Sequence, residues 1–244
     1  MSEIVNDSSL QPLSARSPKQ IVLLLHGYGS NGADLITLAP QWQQALPDAL
    51  FLAPNAPQRC AGMATGYQWW PLEAFTPQAL ASGSASAAPA INAFVERKLV
   101  QYRLSDADLA IVGFSQGTMM ALYVGLRREN QIAGILGYSG MLTDAAGLAH
   151  QKITKPPVLL VHGLADTVIP VSSLHAAEHS LRSLGIDVTS HVSAGLGHSV
   201  DPVGLRLGAE FIGRVFDRRI ACTGIGSVPC RPLPTDGLVD FLRL

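Results

Sequence analysis

The sequence predicts an α/β fold with a mostly parallel central sheet and helices on both faces. Three observations carry this. Segments of strand type alternate with segments of helix type along most of the chain, the order that builds parallel sheets. The strand candidates are nearly continuous apolar runs, as at 20–25 and 158–162, which suits strands covered on both faces. At 109–121 a short apolar run leads through Gly113-Phe114-Ser115-Gln116-Gly117 into a segment that starts a helix.

The elements follow in order. Residues 1–19 are polar and rich in Ser and Pro, which predicts a flexible arm with room for a short strand. The run at 20–25 is the first core strand, and it empties into the glycine-rich loop His26-Gly27-Tyr28-Gly29-Ser30-Asn31-Gly32. A helix is expected over 33–46 and a second strand over 49–53, closed by Pro54-Asn55-Ala56-Pro57. The stretch 60–76 is irregular and contains Trp69-Trp70-Pro71, a loop suited to forming a substrate wall. Ile91, Phe94, Val95 and Leu99 at helical spacing predict a helix over 77–103. The Gly/Ser/Ala stretch at 81–88 weakens that pattern at its entry.

Beyond 121, strands are expected at 132–138, 158–162 and 188–192, with helices at 172–184 and 202–216. From 217 onward Gly224, Gly226, Pro229, Pro232, Pro234 and Gly237 crowd together and break the alternation. The expected division is therefore an arm at 1–19, an α/β domain at 20–216 and a tail of unknown role at 217–244.

Composition narrows the function. With 48% hydrophobic and 14% charged residues in 244, the chain can build a large core and is not a disordered one. A formal net charge of -1 gives no electrostatic footprint for nucleic acid or an anionic membrane. No apolar run reaches the roughly 18 residues of a membrane span, and residues 1–20 lack the basic-then-apolar order of a secretory signal. Cys60, Cys222 and Cys230 are too few and too scattered for a disulfide framework, so a cytoplasmic setting is expected.

The glycine-flanked serine between strand and helix reads as the nucleophile elbow of an α/β-hydrolase, the plainer reading being a strand-loop-helix turn that happens to contain serine: glycines two before and two after let the backbone turn sharply. A serine hydroxyl needs an adjacent base, oriented in turn by a carboxylate, and in this fold they follow in the order Ser, Asp or Glu, His. Asp166 and His198, each in a loop just past a strand candidate, stand in that order behind Ser115. Two backbone N–H groups must face the oxyanion; Gln116 and Tyr28 are the expected donors. His26 precedes the elbow and reads as structural, packing or hydrogen-bonding under its loop.

Leu25-His26-Gly27-Tyr28-Gly29, G-F-S-Q-G at 113–117, H-G-L-A-D-T-V-I-P at 162–170 and Gly197-His198 together resemble the phospholipase/carboxylesterase family, which includes acyl-protein thioesterases and small bacterial carboxylesterases. The resemblance spans about 20–216. It implies an α/β-hydrolase with little or no lid that cleaves carboxylic esters or thioesters through an acyl-enzyme, lysophospholipids and acylated proteins being alternative substrates. It also implies Ser115, Asp166 and His198 as catalytic residues, Tyr28 and Gln116 as the oxyanion hole, and Trp69 and Trp70 beside the substrate. No metal and no cofactor are implied. The expected partners are small-molecule esters or lipids, with no nucleic acid and no integral membrane association; a homodimer is left open. Ser30-Asn31-Gly32 departs from the G-D-T that the family often carries there, and nothing carries over to the tail.

Other readings remain beside this one. His175-Ala176-Ala177-Glu178-His179 is an H-x-x-E-H, the pattern of inverted zinc proteases, without a third ligand in view. A non-catalytic binding protein on a hydrolase scaffold would lack a member of the Ser-Asp-His set, and none is missing. Dienelactone hydrolases place cysteine at the elbow, where this chain has Ser115.

Overall fold

The computed structural model describes residues 4, 7–61, 63 and 65–223, with side chains to 217. Its centre is a seven-stranded sheet in the order β1-β3-β2-β6-β7-β8-β9. The strands are β1 (Asp7–Leu10), β2 (Gln20–Leu25), β3 (Ala49–Pro54), β6 (Leu109–Phe114), β7 (Gly134–Tyr138), β8 (Val158–Gly163) and β9 (Val188–Ser193). All pairings are parallel except β1 on β3, which is antiparallel. A two-stranded ribbon stands apart from this sheet: β4 (Gln58–Arg59) lies just before the stretch expected to be irregular at 60–76, and β5 (Tyr67–Gln68) lies within it.

The continuous apolar strands are explained by two separate cores. Ile21, Leu23 and Leu25 of β2 face one cluster, with α3 (Pro77–Tyr102), α4 (Gln116–Leu126) and α6 (Ser172–Ser183). Val22 and Leu24 face the other, with Trp42 of α2 (Pro40–Gln43) and Phe211, Ile212 and Val215 of α7 (Pro202–Thr223). Because side chains alternate across a strand, both faces must be apolar when both are covered.

Several expectations change. The helix expected at 33–46 is three short pieces: α1 (Gly32–Leu35), a 3-10 turn (Ile36–Leu38) and α2. Pro40 has no N–H to continue the ladder, so the run restarts there with Pro40 in the first turn of α2. The 81–88 stretch is fully helical, and its small residues admit neighbours: a Cβ at Gly83 would lie 2.2 Å from Trp70, and Ser84 Oγ bonds Thr143 Oγ1 at 2.8 Å. The arm contains β1, and buried Ile4 joins the first core. α7 runs to Thr223 instead of stopping at Phe216, so the expected boundary at 217 falls inside a helix. A short α5 (Ala145–Leu148) had no sequence expectation. Among the described residues, no helix is long and apolar enough to cross a membrane.

β2 leads to β3 on one side, and the chain then crosses to β6 on the other. The crevice between the carboxyl ends of β2 and β6 is thus a topological switch point, where open α/β sheets collect their sites.

Candidate active site

Ser115 occupies a single residue between the end of β6 and the start of α4, with φ 54° and ψ −118°. A non-glycine residue held at such angles is strained and needs its surroundings to over-determine it. They do. Its N–H donates to Tyr138 O of β7 at 2.9 Å, and its carbonyl accepts from Thr118 and Met119 N–H at 2.9 and 3.3 Å. Thr118 Oγ1 lies 2.8 Å from Gly113 O and 2.7 Å from Tyr138 O. The flanking glycines are required sterically: a Cβ at Gly117 would stand 1.7 Å from Leu25 O, and one at Gly113 2.3 Å from Gly117 O.

Asp166 and His198 lie on the loops that follow β8 and β9. Those loops are bonded together by Leu164 N–H to Ser193 O and Ala165 N–H to Leu196 O, each 2.9 Å. The Asp166 side chain is fully buried and its lone pairs are filled. Oδ1 accepts from Val168 and Ile169 N–H, both at 2.9 Å; Oδ2 accepts from His198 Nδ1 at 2.7 Å. A carboxylate can only accept, so the His198 proton sits on Nδ1 and Nε2 is the basic nitrogen. The Phe114 ring, immediately before Ser115, packs on His198 with centroids 5.0 Å apart. That contact seats the imidazole beside the elbow.

The loop after β2 closes the third side. A Cβ at Gly27 would be 3.2 Å from Ser115 Cβ, so this backbone passes directly beside the serine. Gly29 N–H bonds Tyr67 O at 2.9 Å and Tyr67 N–H bonds Ser30 O at 2.8 Å, fixing the loop to β5. Tyr28 N–H makes no backbone hydrogen bond among the described residues. Gln116 opens α4, where a helix leaves its N–H unpaired.

The sequence model of the Phospholipase/Carboxylesterase family matches residues 12–215. The chain belongs to that family. It is similar to Esterase YpfH of Escherichia coli (strain K12), 28% identical over 184 residues, which are 75% of this chain and 77% of that one. It is also similar to acyl-protein thioesterase 1 of Emericella nidulans, 26% identical over 80% of this chain and 90% of that one. The crystal structure of esterase PE8 superposes with a TM-score of 0.82 at 41% identity, covering 85% of this chain and 97% of that chain.

Within this phospholipase/carboxylesterase domain some expected residues stand differently. Trp69 and Trp70 do not form an open aromatic wall: they are 1% and 4% exposed. Trp69 Nε1 donates to His26 O at 2.9 Å, and Trp70 packs on Gly83. They lie under the site because α3 and α4 cover them. His26 is structural, as expected. Its Nδ1 lies 2.7 Å from Gly27 O and its Nε2 accepts from Ala56 N–H at 2.9 Å, so Nδ1 carries the proton. Burial lowers its pKa to about 4 and keeps the ring neutral. The same cause raises the Tyr138 phenol, whose hydroxyl donates to Gly204 O at 2.9 Å and anchors α7.

His162 joins the candidate site without a sequence expectation. Its Nε2 faces two acceptors, Ile169 O at 2.8 Å and Asp166 Oδ2 at 3.2 Å, so it is an N–H that braces the Asp166 loop. The H-G-x-x-D spacing held the signal, but a residue at the end of a strand does not reveal where its ring points.

The H-x-x-E-H of α6 is engaged otherwise: Glu178 accepts from Ser190 Oγ at 2.8 Å and pairs with Arg182 at 2.8 Å. Among the described residues no group of three His, Cys, Asp or Glu could hold a metal. Cys60 is buried and free; the Cys222 side chain and all of Cys230 lie outside the described residues.

Proposed function

We propose that this protein is a serine hydrolase that cleaves carboxylic esters or thioesters through an acyl-enzyme at Ser115. The observation that carries this reading is the 2.7 Å bond from His198 Nδ1 to buried Asp166, which leaves Nε2 as the base, together with a serine held at φ 54° on the adjoining elbow.

In this reading Ser115 Oγ attacks the acyl carbonyl and its proton passes to His198 Nε2. Asp166 holds the ring and stabilises its protonated form. The N–H groups of Tyr28 and Gln116 receive the oxyanion; loss of one such donor costs about 2.7–4 kcal/mol of transition-state stabilisation. His198 then gives its proton to the leaving alkoxide or thiolate and activates water for deacylation. Exposed Leu164 and Val168 flank Asp166, and Met63 packs on Gly29 of the β2 loop, which suits an apolar acyl group. The relatives named as thioesterases favour including a thioester. A cytoplasmic setting belongs to the same reading.

The test is hydrolysis of p-nitrophenyl esters from acetate to palmitate, with acyl-thiocholine esters in parallel, by wild type and Ser115→Ala. Activity in the wild type and a fall of at least about 10³-fold in the variant are expected, since the nucleophile is removed. Equal rates in both proteins would sink the assignment. Inactivity of the wild type on every substrate would favour the non-catalytic scaffold.

A further inference from the structure

The side chain of Gln116 has a task separate from its backbone N–H. The residue is fully buried, as are Trp69 and Trp70. Gln116 Oε1 accepts from Trp69 N–H at 3.0 Å, and Gln116 Nε2 donates to Trp70 O at 2.9 Å. The orientation of the amide is set by its partners: a backbone N–H only donates and a carbonyl only accepts. No other uncharged side chain of this length offers an acceptor and a donor together.

The contact continues. The Trp69 indole donates to His26 O at 2.9 Å and lies against the His26 ring with centroids 5.4 Å apart. His26 in turn accepts from Ala56 N–H, and the next residue, Gly27, passes beside Ser115 Cβ. A closed circuit therefore runs from the first residue of α4, through the Trp69-Trp70 backbone and the indole, to the end of β2 and back to the elbow. The two candidate oxyanion donors, Gln116 N–H and Tyr28 N–H, sit on opposite arms of this circuit.

We propose that the Gln116 amide and the Trp69 indole form a strap that sets the separation of the two oxyanion donors, making both side chains positioning residues for the reaction. This rests on the serine-hydrolase reading. A donor aimed where charge develops acts on the transition state more than on bound substrate. The strap should therefore act on kcat and leave KM nearly alone.

The test uses Gln116→Met, which keeps length and volume but removes both hydrogen bonds, Trp69→Phe, which removes the indole N–H, and the double variant. Gln116→Leu, which is uncharged and also removes both hydrogen bonds, replaces Gln116→Met if that variant does not fold. Leu99→Ala is the stability control. It lies in the core near Ile21 and Leu109, at the opposite end of the sheet. Each protein is assayed on p-nitrophenyl butyrate and reacted with a fluorophosphonate, which loses fluoride as Ser115 Oγ bonds phosphorus and His198 takes the proton.

Each strap variant should lose roughly 10- to 100-fold in kcat, less than or about equal to outright loss of a donor. KM should move less than about threefold, and labelling should slow in parallel. Leu99→Ala should lose thermal stability but keep kcat. The double variant should fall little below the worse single one, because one circuit is cut twice. Folded variants with wild-type kcat would overturn the strap, and so would multiplicative losses in the double variant. A wild type that hydrolyses no ester and takes no label at Ser115 would instead overturn the underlying reading, and the strap's role with it.

Discussion

His26 lies fully buried beneath the loop at the end of β2, with both ring nitrogens occupied. Its geometry needs a proton on Nδ1 and none on Nε2, so adding a second proton breaks the bond from Ala56 N–H as well as charging a dry site. Burial sets its folded pKa at about 4, against 6.5 for the free group. The unfolded chain therefore binds more protons in the interval between those values. Stability is fully present above about pH 6.5 and is lost as pH falls toward 4, by about 3 kcal/mol in total at 1.36 kcal/mol per unit. Urea unfolding of wild type and His26→Gln at several pH values between 7 and 4 should show a steeper loss in the wild type, although the variant starts lower at pH 7 for want of the imidazole. Parallel curves would mean that His26 does not titrate in this way. Residue identity was legible here without its reason: chain order removed His26 from the catalytic set, while the partner that fixes its tautomer, Ala56, comes from a loop 30 residues on.

At the scale of elements, β2, β3, β6, β7 and β8 were easy to read because both faces of the sheet are covered there, and the sequence then needs no register to reveal them. The breaks were harder. Pro40 marks one of the two breaks in the helix expected at 33–46, and the Gly/Ser/Ala entry of α3 is helical because Trp70 and Thr143 pack against it, a tertiary effect that propensity cannot see. The order Ser115, Asp166, His198 was legible because chain order reflects topology. Trp69 and Trp70 were not, since an aromatic pair reads alike whether it lines a pocket or lies beneath one. Arg128, just past the end of α4, is similarly silent in sequence. It donates from Nε to Asp106 at 2.7 Å, and from its terminal nitrogens to Glu96 at 2.6 Å and Asn92 at 3.1 Å. These bonds join α4, α3 and the turn before β6 at the end of the sheet away from Ser115. Asp106 is 7% exposed, so Arg128→Met strands a buried carboxylate, at a cost of about 3–5 kcal/mol. Arg128→Lys should recover only part, because an ammonium cannot span three partners in one plane. Chemical denaturation should rank wild type, Lys and Met in that order, with kcat per folded molecule unchanged; an R128M midpoint equal to wild type would show the cluster to be energetically idle.

For the whole molecule, the sheet separates what holds the fold from the candidate active site. The candidate site draws on loops at the carboxyl ends of β2, β6, β8 and β9, whereas β1 closes the opposite edge by pairing with β3 through Asp7–Pro54 to Leu10–Phe51. Lys98 of α3 also pairs with Asp7 at 2.9 Å, and Arg97 donates to Ile4 O at 3.1 Å. β3 is buried along its whole length, so removing β1 would expose an apolar strand edge, the kind of surface that recruits other chains. Deleting residues 1–10 should therefore lower the urea midpoint and produce concentration-dependent association, seen by light scattering after size-exclusion chromatography. The monomeric fraction should retain its kcat, because the lost strand neighbours none of the strands that carry Ser115, Asp166, His198 or the Tyr28 loop. A truncated protein that stays monomeric and equally stable would show that β1 only decorates the edge. One that stays folded but loses turnover would mean that the β3 edge and the site are coupled through β2, the strand between them.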